Sequence, residues 1–94
     1  MSTEFTDYDT SEYLENEQDI IAYLNAIAEY DDPALMQAAL GNVAKARGMT
    51  QIAKDAGVGR ESLYKSLSKD GNPSFQTIAK VIQALGGRLT IQAA

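Results

Sequence analysis

Residues 49–67, MTQIAKDAGVGRESLYKSL, constrain this chain most, because they set two short helical patterns on either side of a glycine. Ile52, Ala53 and Ala56 make the apolar side of a first helix, with Thr50 placed to cap its start. Gly57 stands where the chain must turn sharply, and Val58 fills the corner. Gly59 or Arg60 opens a second helix, in which Leu63 and Leu67 lie four apart and point inward together. Ala53 is small where the two helices cross, so they can approach closely. This series outlines a helix-turn-helix over residues 50–67. A plain helix hairpin inside a bundle would share the same pattern.

Charge separates the two halves of the chain. The net charge is −5, which alone argues against a nucleic-acid partner. Residues 1–44, however, hold ten acidic residues and no Lys or Arg. Residues 45–94 hold all eight basic residues (Lys45, Arg47, Lys54, Arg60, Lys65, Lys69, Lys80 and Arg88) against Asp55, Glu61 and Asp70, a surplus of five. A positive half containing the helix-turn-helix suits phosphate contact, since neutralising phosphates releases condensed counterions. The acidic half would be repelled by DNA. Its role is either solvation or the binding of a basic partner.

Ninety-four residues suffice for one domain with a modest core. Without cysteine there is no disulfide, thiol chemistry or thiolate metal site, and without histidine the commonest general base and metal ligand are missing. Paired carboxylates such as Asp31 and Asp32 read as a helix cap rather than as acid and base, so no catalytic residue, cofactor or metal is expected and the chain is not read as an enzyme. No apolar run approaches a membrane span, and the acidic N-terminus does not resemble a signal peptide; a cytoplasmic location is expected.

The expected fold is all-α, with an acidic, partly irregular segment at 1–16 and a single helical domain over 17–94. Ile20, Ile21, Leu24, Ile27 and Ala28 form a helical stripe from about Glu17 to Tyr30. Asp32 as N-cap and Pro33 in the first helical position start a second helix that runs to about Arg47, burying Leu35, Met36, Ala39, Leu40 and Val43. Gly48 ends it, with Lys45 and Arg47 in the last turn, where both the helix dipole and phosphate contact account for cations. Residues 68–73 form a turn, Ser74 caps a fifth helix carrying Phe75, Ile78, Val81, Ile82 and Leu85, and Gly86-Gly87 ends it. Residues 88–92 alternate polar and apolar, a short C-terminal β-strand pattern. Such a strand pairs with a second copy, the N-terminal segment or a partner, or else frays. Pairing with a copy would make a homodimer presenting two recognition helices about 34 Å apart.

The run ARGMTQIAKDAGVGRESLYKSLSKDGNPSFQTIAKVIQALG, residues 46–86, resembles the Cro/repressor-type helix-turn-helix of addiction-module antidote proteins, the HigA-like antitoxins of bacteria. Upstream, YLENEQDIIAYLNAIAEYDDPALMQAALGNVAKARG resembles the N-terminal region of that family, so the likeness covers roughly residues 13–91. It rests on the order and spacing of GMTQIAKDAG, RESLYKSL and NPSF. The resemblance implies a five-helix repressor-like fold, an antitoxin encoded beside a small RelE/HigB-type toxin, and repression of its own operon. Thr50-Gln51 stands closer to Ala53 than in many such domains, so the first helix of the motif is expected to be about one turn shorter.

By analogy with the repressor fold, residues 59–66 lie against the major groove of operator DNA, and Arg60, Glu61, Ser62 and Lys65 are the base-contact candidates. Arg60 can bind guanine O6 and N7 together, Lys65 can reach guanine or phosphate, and Glu61 can accept from cytosine N4 or orient Arg60. Thr50, Gln51, Tyr64, Lys69 and Asn72 are candidates for the DNA backbone; partial core burial is the other reading of Tyr64. Toxins of this class are small and basic because they act on RNA, which suits an acidic partner. Tyr8, Tyr13, Leu14, Glu15, Glu17 and Asp19 are the toxin-contact candidates, charge speeding encounter and the apolar anchors supplying affinity. A stand-alone helix-turn-helix regulator and an acidic interaction module that does not bind DNA are the alternative functions. Binding to the chain's own promoter sets the interaction module apart, and a short basic reading frame next door favours an antitoxin over the stand-alone regulator.

Overall fold

Polar caps and glycines set most of the helix ends. The computed structural model describes residues 16–93, in which five helices follow one another: α1 (Glu17–Ala28), α2 (Pro33–Arg47), α3 (Met49–Ala56), α4 (Arg60–Leu67) and α5 (Phe75–Ala84). The fold is all-α. Asn16 caps α1, its Oδ1 accepting from the Gln18 amide at 2.7 Å. Asp32 caps α2, its Oδ1 accepting from the Ala34 and Leu35 amides at 3.0 and 3.3 Å, with Pro33 following where no donor is needed. Ser74 caps α5, accepting from the Thr77 amide at 3.0 Å. Between α1 and α2, Asp31 takes a positive φ of 52°, a conformation that Asp tolerates better than most residues.

The link between α3 and α4 is a three-residue turn, Gly57 to Gly59. Gly57 adopts the left-handed conformation (φ 73°), its amide donates to the Lys54 carbonyl at 3.1 Å, one the helix leaves open, and Val58 donates back to the Ala53 carbonyl at 3.0 Å. Val58 is half-buried against the core, in the corner position its sequence predicted. Ala53 and Ala56 are buried beside Leu63 and Leu67, so α4 lies close on α3. The rest of the core comes from Ile20 and Leu24 of α1, Leu40 and Val43 of α2, Ile52 of α3, and Val81 and Leu85. α3 is central, packing on α2, α4 and α5, while α1 packs on α2.

Four expectations are corrected. The C-terminal β-strand is not formed: no strand occurs among the described residues, and Ile91 is fully exposed. Gly86 (φ 95°) follows the end of α5 and turns the chain out, and residues 88–92 have no strand partner among the described residues. Thr50 is not a cap. α3 begins two residues before a Thr50 cap would start it, at Met49 directly after Gly48, whose φ of 109° turns the chain from α2 into α3, and no side chain caps it. Phe75 is 77% exposed, because capping by Ser74 puts it in the first turn on the outer side of α5. Leu35 and Ala28 are likewise exposed at helix ends. Among the described residues no helix is long and apolar enough to cross a membrane.

Candidate nucleic-acid interface

The eight residues of α4 divide cleanly between core and surface. Leu63 and Leu67, one turn apart, are buried, and that fixes the rotation of the helix. Arg60, Glu61, Ser62 and Lys65 are then all exposed, and with Tyr64 and Ser68 they line one open hollow on the outer side. No carboxylate among the described residues pairs with Arg60, Lys65 or Lys69. Their charges are therefore available to an anion.

Sequence reasoning missed a residue that clamps the C-terminal end of α4. Gln37 of α2 projects its Nε2 to within 3.2, 2.7 and 3.1 Å of the carbonyl oxygens of Ser66, Ser68 and Gly71. Three carbonyls around one nitrogen identify it as the amide donor, whose two hydrogens the three acceptors share. These include carbonyls that a helix end leaves unsatisfied. Ser68 adds its own hydroxyl, donating to the Lys65 carbonyl at 2.7 Å. Two glycines complete the arrangement. A Cβ on Gly41 of α2 would sit 3.2 Å from the Leu67 carbonyl oxygen, and a Cβ on Gly71 would overlap the carbonyl oxygens of Lys65 and Ser66. The loop after α4 can fold back under the helix only because Gly71 has no side chain. Gln37 is 29 to 34 residues away from its acceptors, so no local pattern signals it; the one hint is a lone amide inside the apolar run LMQAAL.

α2 and α4 also enclose a cleft of about 420 Å³. Gly41, Met49 and Leu67 are its buried lining, and the exposed Lys45, Tyr64 and Lys69 stand around its mouth. Lys45 Nζ lies 5.4 Å from the Tyr64 ring centroid, a cation–π contact that ties the end of α2 to α4. Tyr64 itself is 54% exposed and borders both the cleft and the outer hollow. It links the two surfaces.

The remaining candidates are dispersed. Thr50 and Gln51 are exposed on α3, and the Gln51 amide donates to Asp55 Oδ1 at 2.9 Å. Lys69 and Asn72 are exposed on the loop after α4. Glu17 and Asp19 sit in the first turn of α1, Glu17 against Gly86, outside both the outer hollow and the cleft. Tyr8, Tyr13, Leu14 and Glu15 lie outside the described residues, as does nearly all of the acidic segment at 1–16.

Residues 4–93 match the family described as "Probable addiction module antidote protein". The chain belongs to that family. It is 47% identical over 92 residues to an uncharacterized protein of Haemophilus influenzae, the match covering 98% of this chain and 95% of the relative. No solved structure matches it. For an antidote protein the question is how one small helical chain engages a toxin, and whether the surface of α4 serves a second partner.

Proposed function

We propose that this protein is a HigA-like antitoxin, cytoplasmic and homodimeric, that neutralises a small basic RelE/HigB-type toxin by direct binding and represses its own operon through a Cro-type helix-turn-helix made of α3 and α4. The observation that carries the DNA half is the division of α4. Its two leucines are buried and its base-contact candidates share one exposed, unpaired face. Arg60, Glu61, Ser62 and Lys65 read base edges in the major groove, and Thr50, Gln51, Tyr64, Lys69 and Asn72 hold the backbone in register. Phe75, Leu89 and Ile91 leave apolar surface for a second copy. Residues 1–32, which hold every acid of the first half, bind the toxin, with Tyr8, Tyr13, Leu14, Glu15, Glu17 and Asp19 as contacts.

A salt-titrated mobility shift on the chain's own upstream promoter tests the DNA half, with Arg60→Ala and Lys65→Ala alongside. Sequence-specific binding that falls steeply with salt and is lost in both variants supports it. Absence of binding at low salt removes it and leaves an acidic interaction module. Reversing the charges across residues 1–32 tests the toxin half. Neutralisation that survives the reversal rules that surface out.

A further inference from the structure

One side-chain amide holds the loop that follows α4. Gln37 Nε2 donates to the carbonyls of Ser68 and Gly71 at 2.7 and 3.1 Å, one on each side of Lys69-Asp70, and reaches the Ser66 carbonyl at 3.2 Å in the last turn of the helix. The Gly71 amide closes the same turn by donating to the Ser68 carbonyl at 2.9 Å, so both lone pairs of that oxygen are engaged inside the protein. Lys69 and Asn72, the loop's two candidates for the DNA backbone, are exposed on this fixed stretch of main chain. We infer that Gln37 is a positioning residue for phosphate: it holds residues 68–72 in the shape that presents Lys69 and Asn72 to the DNA backbone before DNA arrives. The phosphate role rests on the DNA-binding reading; the ordering of the loop does not.

Apolar packing does not order this loop. Leu63 and Leu67 bury one side of α4, but no residue from Ser68 to Asn72 is fully buried. Asp70, Gly71 and Asn72 are moreover residue types with wide backbone freedom. Among the described residues, the other hydrogen bonds of this stretch are local: the Ser68 amide and hydroxyl donate to the Lys65 carbonyl, and the Gly71 amide to Ser68. They close a turn without tying it to the rest of the fold. Gln37, projecting from α2, is the tie. Three acceptors around one donor group fix direction as well as distance, which apolar burial cannot do.

A plain cap on α4 is the other role open to Gln37, since a helix end leaves carbonyls unsatisfied. Against it stands the position of the acceptors: α4 ends at Leu67, and the Ser68 and Gly71 carbonyls lie beyond it. The clamp grips the loop more than the helix. A loop ordered in advance has little conformational freedom to lose when it meets phosphate, whereas a loose one must be ordered at the expense of affinity.

Gln37→Met tests this, because it keeps the length and bulk of the side chain and removes the donor. In ¹⁵N relaxation of the full chain, the order parameters of Lys69, Asp70 and Gly71 are expected to fall from about 0.85 to below about 0.6, with α1 unchanged. Affinity for a duplex of the chain's own promoter, at one fixed salt concentration, is expected to fall about tenfold. In a background carrying Lys69→Ala and Asn72→Ala the same substitution should cost less than about twofold, since nothing remains for Gln37 to position. Ile20→Val weakens the core under α1 instead, and should leave promoter affinity unchanged. Unchanged order in the loop overturns the positioning role. A loosened loop with unchanged affinity, equal losses in the two backgrounds, or a matching loss in Ile20→Val overturns the link to phosphate and leaves Gln37 a helix cap. If the wild-type chain binds no DNA at any salt while the loop loosens in Gln37→Met, the ordering of the loop stands, and the DNA-binding reading falls together with the phosphate role.

Discussion

α1 and α4 are both surface helices with polar outer faces, but they are attached by different means. α1 lies on α2 through a stripe in which Ile20 and Leu24 are buried, and its close approach to Gly86 and Gly87 is made by the ends of the Glu17 and Ile21 side chains. α4 adds to its two buried leucines a polar clamp from Gln37 and a backbone-to-backbone approach at Gly71. Side-chain ends can swing aside at little cost, whereas a carbonyl at a helix end cannot move without the helix. The difference teaches that α4 is held in register while α1 is merely covered. A helix that must meet base edges needs the first kind of attachment; a helix that meets a protein surface can do with the second.

The sharpest test of that contrast is a pair of glycine substitutions. Gly71→Ala should destabilise the fold by about 3 kcal/mol, because the new Cβ overlaps two backbone carbonyls. Gly87→Ala should cost less than about 1 kcal/mol, since the tightest approach to its Cβ is the end of a flexible side chain, Ile21 Cδ1 at 2.9 Å, while Ile82 Cγ2 and the Ile82 carbonyl oxygen stand at ordinary contact distances of 3.4 and 3.7 Å. Urea midpoints measure both, and equal losses would end the distinction. Next in size, Arg60→Ala should weaken operator binding by about 2 kcal/mol in a titration while leaving the thermal midpoint unchanged, as expected of an exposed, unpaired side chain. Gln37→Ala should cost about 1.5 kcal/mol of stability by leaving carbonyls at the end of α4 without a donor. It should also raise hydrogen exchange in α4 selectively; exchange that rises equally in α1 would show that the clamp has no local role. The smallest effect belongs to Thr50→Ala. With no capping bond to lose, its urea midpoint should stay within about 0.5 kcal/mol of wild type, whereas a true N-cap would lose about 1.

Much of the helical outline is legible along the chain because helix ends are written locally. Asp32-Pro33, Ser74 and Gly57 each work through amides and torsions within a few residues, and all three stand where the sequence places them. The shared exposed face of Arg60, Glu61, Ser62 and Lys65 is legible for a similar reason, since burying Leu63 and Leu67 leaves the other side of an α-helix outward. Local signals misled where two rules compete for one stretch. Thr50 has the chemistry of a cap, but Gly48 turns the chain first and α3 starts before it. Alternation at 88–92 has the period of a strand, but a strand is defined by its neighbour, and none lies beside it among the described residues.

By itself, then, the sequence determined the order of the helices, most of their caps, the inward leucines of α4 and the opposition of an acidic first half to a basic second one. Each of these depends on residues within one or two turns of each other, or on composition alone. Tertiary structure alone decided that Gln37 clamps the end of α4, that Lys45 lies over Tyr64, that Gly71 passes beneath a helix end, and that α2 and α4 leave a cleft between them. The physical reason is that these contacts join groups far apart in sequence whose meeting follows from how whole helices pack. No periodicity of 3.6 or 2 carries that information.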